Sequence, residues 1–257
     1  MDTQIICFGQ QPCGFFPKKF LVAKINTARQ LQKEIGGKLV FFYHDSDADY
    51  RETITLMRDV TTGADVRLNF LQENKIQKKF SPLYAKKIPQ GWQEEILKQL
   101  PRFAGLDLIN TFKSVMEFNV ADFCLEMYKK MGLLDGIEIF RSGNKNFRES
   151  ASELEGEYFA DVEYQTEIVR AEMFNGKLRL HEGGGKYLEI PTAPKIHKWQ
   201  KNPGKDARFG WMNSVINCTH YIAGNSEYEY LNKEVFGQVK FIKREDIVDQ
   251  NYAWLGN

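Results

Sequence analysis

Two short apolar runs bracket the first amphipathic stretch of the chain, and that arrangement leaves little choice of fold. Ile5-Ile6-Cys7-Phe8 is stopped by Gly9, and Lys38-Leu39-Val40-Phe41-Phe42-Tyr43 ends in the polar cluster HDSDADYRET. Unbroken apolar runs of this length suit strands covered on both faces, as in a parallel sheet. Between them Phe20, Leu21, Ile25, Ala28 and Leu31 recur at helical spacing. Pro17 opens that helix, where its missing N–H is not needed, and Gly36-Gly37 closes it. Strand, helix and strand in about 40 residues make a βαβ unit with a right-handed crossover.

Further along, Asp65–Leu71 alternates like a strand, and GWQEEILKQL and LINTFKSVMEFNVADFCLEMYKKMG read as helices. GIEIFRSGN is a strand whose end carries Arg141, Ser142 and Gly143. From 158 to 190 the pattern alternates, with turn signals at Asn175-Gly176 and Gly183-Gly184-Gly185, which predicts a β-hairpin excursion packed on the main sheet. KIHKWQKNPGKDAR reads as a basic loop, followed by a helix from Phe209, a second helix opened by YIAGNSEYEYL, and a last strand in GQVKFIK. The expected architecture is one Rossmann-like α/β domain over residues 1–257, a parallel sheet flanked by helices with the 158–190 hairpin inserted.

Composition narrows the function classes. A net charge of +1 gives no global field that would favour nucleic acid or an anionic membrane, so neither is an expected partner. No apolar stretch approaches the roughly 18–20 residues of a membrane span, and the N-terminus does not read as a signal peptide. Cys7, Cys13, Cys124 and Cys218 fall at no metal-ligand spacing, so no metal site is assigned and a reduced, cytoplasmic protein is expected. A small-molecule substrate is the expected partner.

The polar residues worth weighing cluster at strand ends, at 9–14, 44–52, 141–144 and 221–227, where open α/β sheets bind ligands. GQQPCG lacks both the dinucleotide fingerprint and the Walker loop. It offers instead amide side chains at Gln10 and Gln11, nearby Lys18, Lys19 and Lys24, and a helix N-terminus able to hold an anion. Cys13, inside the same junction, reads as a small residue tolerated in a turn. Asp45, Asp47, Asp49 and Glu52 could hold Mg²⁺, bond ribose hydroxyls or act as a general base; alternatively Asp49 and Glu52 form a helix cap. His44 and Asp45 are adjacent and point to opposite faces, which argues against a dyad. HEGGGK reads as a hairpin turn, with a substrate flap as the alternative, and the lysines around Trp199 as a phosphate clamp or a solvated face.

Two of these clusters, with their spacing, resemble the family of cysteine-adding enzymes of bacillithiol biosynthesis. Gly9-Gln10-Gln11-Pro12, Gly14, Phe15-Phe16 and Lys24, fifteen residues after Gly9, match its first turn and helix. Ser46-Asp47-Ala48-Asp49 is similar to its acidic motif, one residue shorter and with Ala48 in place of a histidine. Pro203, Arg208, Tyr221-Ile222-Ala223-Gly224, Glu227 and Tyr230-Leu231 follow its later motif, with Asn225 and Phe209 where the family has prolines. GIEIFRSG is similar to a pocket strand. The resemblance covers the core only, without the family's C-terminal coiled coil, and neither a HIGH tetrapeptide nor a KMSKS-like stretch is present.

The resemblance implies a HIGH-type nucleotidyltransferase-like core and a ligase that joins a small carboxylate to an amine, with ATP and Mg²⁺ as the activating cofactor. In that reading Asp47, Asp49 and Arg208 carry the chemistry, while Gly9, Gln10, Gln11, Gly14 and Lys24 hold the nucleotide. Arg141, Ser142, Tyr221, Gly224 and Glu227 line the substrate. A non-catalytic small-molecule or nucleotide-binding protein that retains the cleft is the alternative. A third reading is an accessory subunit in which a partner or a second copy, as a homo-oligomer, supplies the absent helical region.

Overall fold

The computed structural model describes residues 3–71, 74–191 and 195–256, and among them the strands form three sheets. The central one is parallel and five-stranded, built from β1 (Ile5–Gln10), β2 (Lys38–Tyr43), β5 (Ile137–Arg141), β11 (His220–Ala223) and β12 (Lys240–Lys243). Its order is β12-β11-β1-β2-β5. In chain order this is 3-2-1-4-5, the arrangement of a Rossmann-like sheet, and the order reverses between β1 and β11. The expected βαβ start is present, with α1 (Lys19–Ile35) crossing between β1 and β2, which pair in register from Ile5 with Lys38 to Gln10 with Tyr43.

Alternation along these strands divides two cores. Ile6, Phe8, Leu39, Phe41 and Tyr43 face α1 and an aromatic cluster of Phe15, Phe70, Trp92, Phe112 and Phe123. Cys7, Val40 and Phe42 face the other way, onto Phe147, Trp211 and Met212 of α6 (Lys145–Ser150) and α7 (Arg208–Ile216). Helices on both faces explain why the strands read as unbroken apolar runs. All four cysteines are buried and free.

The segment between β2 and β5 carries the hairpin of β3 (Thr55–Arg58) and β4 (Asp65–Leu68), then α2 (Lys75–Phe80), α3 (Trp92–Gln99), α4 (Leu106–Lys113) and α5 (Val120–Lys130). The long helical reading of 108–132 is therefore corrected. Residues 114–119 break it, and Asn119 caps α5 by accepting a hydrogen bond from the Asp122 N–H.

The 158–190 excursion is larger than a hairpin. β6 (Tyr158–Tyr164), β7 (Glu167–Phe174), β8 (Lys177–Gly183) and β9 (Lys186–Ile190) form a meander. β10 (Lys201–Pro203), inside the segment read as a loop, pairs antiparallel with β6 as a fifth strand. This sheet has its own core of Ala160, Val162, Val169, Ala171, Leu178 and Leu180, closed by Phe80 of α2. The glycine-rich run is the β8–β9 turn. The helix α8 (Asn225–Tyr230) joins β11 to β12, and it starts later than the opening expected at Tyr221, because Tyr221 and Ile222 pair with β1 in the parallel sheet as part of β11.

A buried ion pair ties the two sheets together. Arg148 lies 2.8 Å from Asp161 with both side chains almost fully enclosed, and it also donates to the Ser142 carbonyl (2.6 Å) and the Trp199 carbonyl (3.0 Å). Tyr84 donates to the same carboxylate at 2.8 Å. Removing one member strands the other charge, so Arg148→Ala is expected to cost about 3–5 kcal/mol. Removing the exposed Lys177–Glu189 pair should cost less than about 1 kcal/mol. Urea unfolding of both variants checks the difference.

Candidate functional site

The carboxyl ends of β1 and β11 diverge where the strand order reverses, and they open a cleft of about 520 Å³. Gly9, Gln10 and Gln11 line it together with Lys24, His44, Asp49, Arg208, Gly224, Glu227 and Tyr230. Residues far apart in sequence meet here through one buried network. Lys24 Nζ donates to the Gly9 carbonyl (2.7 Å) and to Glu227 (2.8 Å). Glu227 in turn accepts from the Tyr221 hydroxyl (2.7 Å) and the Gly224 N–H (3.2 Å). Burial would raise the Glu227 carboxyl, but the Lys24 charge and these hydrogen bonds hold it below its ordinary value.

Gly9 is required by this packing. A Cβ there would stand 2.8 Å from the Tyr221 hydroxyl and 3.0 Å from His44 Nε2. His44 follows Phe42 on the same face of β2 and meets its ring edge-on, whereas Asp45 turns to the opposite face, so no dyad forms. Burial, reinforced by the charge of Arg208, keeps the His44 imidazole well below the usual histidine value, and it is neutral at pH 7. Burial likewise pushes the Cys13 thiol up, so it is no nucleophile.

The amide pair lines the cleft rather than moving protons. Gln10 donates to Gln11 (2.9 Å), and Gln11 donates to Asp47 (3.3 Å). Burial alone would raise the Asp47 carboxyl, but Arg170 and Arg208, the Asp49 N–H and Gln11 bring it to about 2. Asp49 is held bidentate by Arg51, at 2.9 and 2.6 Å. No helix follows these aspartates, so the helix-cap reading is not realised. They close turns instead, Asp47 accepting from the Asp49 N–H and Asp49 from the Arg51 N–H.

Five predicted site residues do not line this cleft: Asp47 and Tyr221 stand behind it, bonded to Gln11 and Glu227, and Gly14, Arg141 and Ser142 lie elsewhere. Gly14, at φ +101°, is turned into the core beside Thr55 and presents its carbonyl to Tyr128 (2.7 Å). Arg141 and Ser142 are engaged by the buried Asp45, which accepts from Arg141 at 2.6 Å, from Ser142 at 3.2 Å and from the Gly143 N–H at 2.6 Å. Arg141 also pairs with Asp122 at 2.5 Å. They fix the end of β5 and do not line the cleft.

The helix N-terminus is not free to hold an anion. The Lys19 N–H donates to the Tyr252 carbonyl (2.8 Å) and that of Phe20 to the Gln250 carbonyl (3.1 Å). Recognition falls to side-chain charge. Around the cleft stand Lys18, Lys24, Arg51, Arg208 and Arg244 against Asp49, Glu52 and Glu227. Lys24, Arg51 and Lys18 face carboxylates at 2.8, 2.6 and 3.8 Å. Arg244 bonds only neutral acceptors, Gln250 and the Glu245 carbonyl, and Arg208 comes no nearer than 4.0 Å to Asp47, among the described residues. A surplus of positive charge in a polar cleft selects an anion.

Arg244 and Arg170 are site residues that the sequence reading missed, because a basic residue on a terminal strand end or a meander strand carries no motif. Among the described residues no group of three or more His, Cys, Asp or Glu side chains is set to hold a metal. No helix among them is long and apolar enough to cross a membrane. No protein-family model matches the chain, and no curated protein does.

Two outcomes test this geometry. Gly9→Ala should destabilise the fold by about 1–3 kcal/mol in urea unfolding, because Tyr221 and His44 must move. Asp47 contributes about 2 kcal/mol that is present above about pH 5 and lost as the pH falls toward 2. The stability gap between wild type and Asp47→Asn should accordingly narrow over that range in pH-dependent denaturation curves.

Proposed function

We propose that the protein is a ligase-like enzyme whose switch-point cleft binds the phosphates of ATP, on a HIGH-type nucleotidyltransferase-like core, and joins a small carboxylate to an amine. The observation that carries this reading is the meeting, where the sheet order reverses, of an amide pair, the Lys24–Glu227–Tyr221 network and two guanidiniums without a close carboxylate. ATP bound here would activate the carboxylate by adenylyl transfer with release of pyrophosphate, and the amine would then displace AMP from the acyl carbon with loss of a proton. Arg208 is positioned in the lining to neutralise charge developing on phosphoryl oxygens, and Lys24 ties Glu227 to the Gly9 carbonyl.

A second reading, a binding protein that retains the cleft without chemistry, draws on a specific observation. Asp47, Asp49 and Glu227 are all held below their ordinary values by cations or hydrogen-bond donors, which makes them poor proton acceptors near neutrality. The neutral base on the cleft wall is His44. Isothermal titration with ATP and Mg²⁺ tests the shared part of both readings. Binding is expected, and Arg208→Gln should weaken it about tenfold, the scale of one charge-assisted hydrogen bond. Absence of heat and of any thermal shift with ATP overturns the ligase and the nucleotide form of the binding reading. A survey of turnover with carboxylate and amine pairs separates them, ATP consumption that depends on both substrates marking the ligase.

A further inference from the structure

Beside the switch-point cleft lies a second compartment of about 690 Å³. It shares Asp49, Arg51 and Arg208 with the first, and its far side is formed by the antiparallel sheet and α2 rather than by the parallel sheet. Its character is different. Tyr50, Phe80 and Phe159 supply an aromatic wall, where the first cleft has amides. Set against that wall are five cationic side chains, Arg51, Lys79, Arg170, Lys205 and Arg208, and three carboxylates, Asp47, Asp49 and Glu182.

The pairing leaves charge over. Arg51 is committed to Asp49 at 2.6 Å and Lys79 faces Glu182 at 3.7 Å. Arg170 and Arg208 both lower the Asp47 carboxyl, so two guanidiniums share one negative charge. Among the described residues Arg170 donates to the carbonyls of Ser46 and Pro203 only, with Asp161 opposite it on β6, and it lies 4.4 Å from the centre of the Phe159 ring. Lys205 is exposed, its ammonium over the Tyr230 ring at 3.8 Å. Arg170 against Phe159 and the exposed Lys205, in a lining that also holds Tyr50 and Phe80, fit a ligand that offers both a ring and an anionic group.

We propose that this compartment is a second ligand site, which binds a small organic anion consisting of a ring that carries a phosphate or carboxylate. Its role as the pocket for the second reactant rests on the nucleotide reading of the switch-point cleft; the binding itself does not. Arg208, common to both cavities, stands at the boundary between the two ligands.

The test uses the full chain, with phenyl phosphate as the probe and inorganic phosphate and phenol as its two halves, each followed by calorimetry. Phenyl phosphate should bind at least about tenfold more tightly than either half, since charge and ring contribute separately. Lys205→Gln, a surface change that leaves the core untouched, should weaken it about threefold to tenfold, and Arg170→Gln by more, on the scale of a charge-assisted hydrogen bond. Saturating ATP should leave phenyl phosphate bound. No binding, equal binding of phosphate alone, indifference to both substitutions, or competitive displacement by ATP each overturns the proposal. Failure of ATP to bind while phenyl phosphate still depends on Lys205 and Arg170 would sink the nucleotide reading and leave the second site standing.

Discussion

The guanidinium of Arg148 is shared among pieces of chain that lie far apart in sequence. It reaches the Ser142 carbonyl beyond β5, the Asp161 carboxylate on β6 and the Trp199 carbonyl before β10, with Tyr84 donating to the same carboxylate oxygen. Enclosing such a pair costs desolvation, so its contribution to net stability is small compared with the damage done by removing one partner. What it secures is placement. Asp161 stands directly opposite Arg170 in the β6–β7 register, and Arg170 reaches across to Ser46 and Asp47. The clamp therefore fixes how the second sheet presents a guanidinium to the loop that follows β2, and with it the wall of the second compartment.

A comparable constraint acts at the other end of the cleft. The segment ending in Trp254 runs back to the start of α1 and gives its carbonyls to the first amides of that helix. The side chain of Lys18 offers no cap, so the helix depends on this distant backbone for its first turn. A helix start occupied in this way cannot serve as an anion cradle. Among the described residues the cations free of a close carboxylate at this cleft are side chains, Arg208 and Arg244, and Arg244 is braced by Gln250 from the same terminal segment.

The parts that could be read from the sequence are those governed by local period and by strand-end logic. The apolar runs at 5–8 and 38–43, the helix between them and the last strand at 240–243 all form where their patterns place them. The spacing of Gly9, Lys24, Tyr221, Gly224 and Glu227 corresponds to one hydrogen-bonded network. What was hidden depends on partners that no local pattern announces. β10 is three residues long and exists because β6 has an open edge beside it. Gly14 resembles a phosphate-turn glycine, yet its positive φ serves packing against Thr55 and Phe16. Arg141 and Ser142 stand at a strand end, as ligand residues do, but a buried carboxylate one strand away claims both.

The same electrostatics that make the cleft attractive to anions limit what its carboxylates can do. A carboxyl drawn down to about 2 by two guanidiniums stays ionised through the working range and takes up protons poorly. Its effect is instead to hold Arg170 and Arg208 toward one point between two cavities. His44 is the contrasting case, since burial and the neighbouring cation keep its imidazole neutral and able to accept a proton, at the cost of low basicity. An anion bound beside Arg208 would offset only one of the causes that depress this imidazole, because burial, the largest of them, would remain.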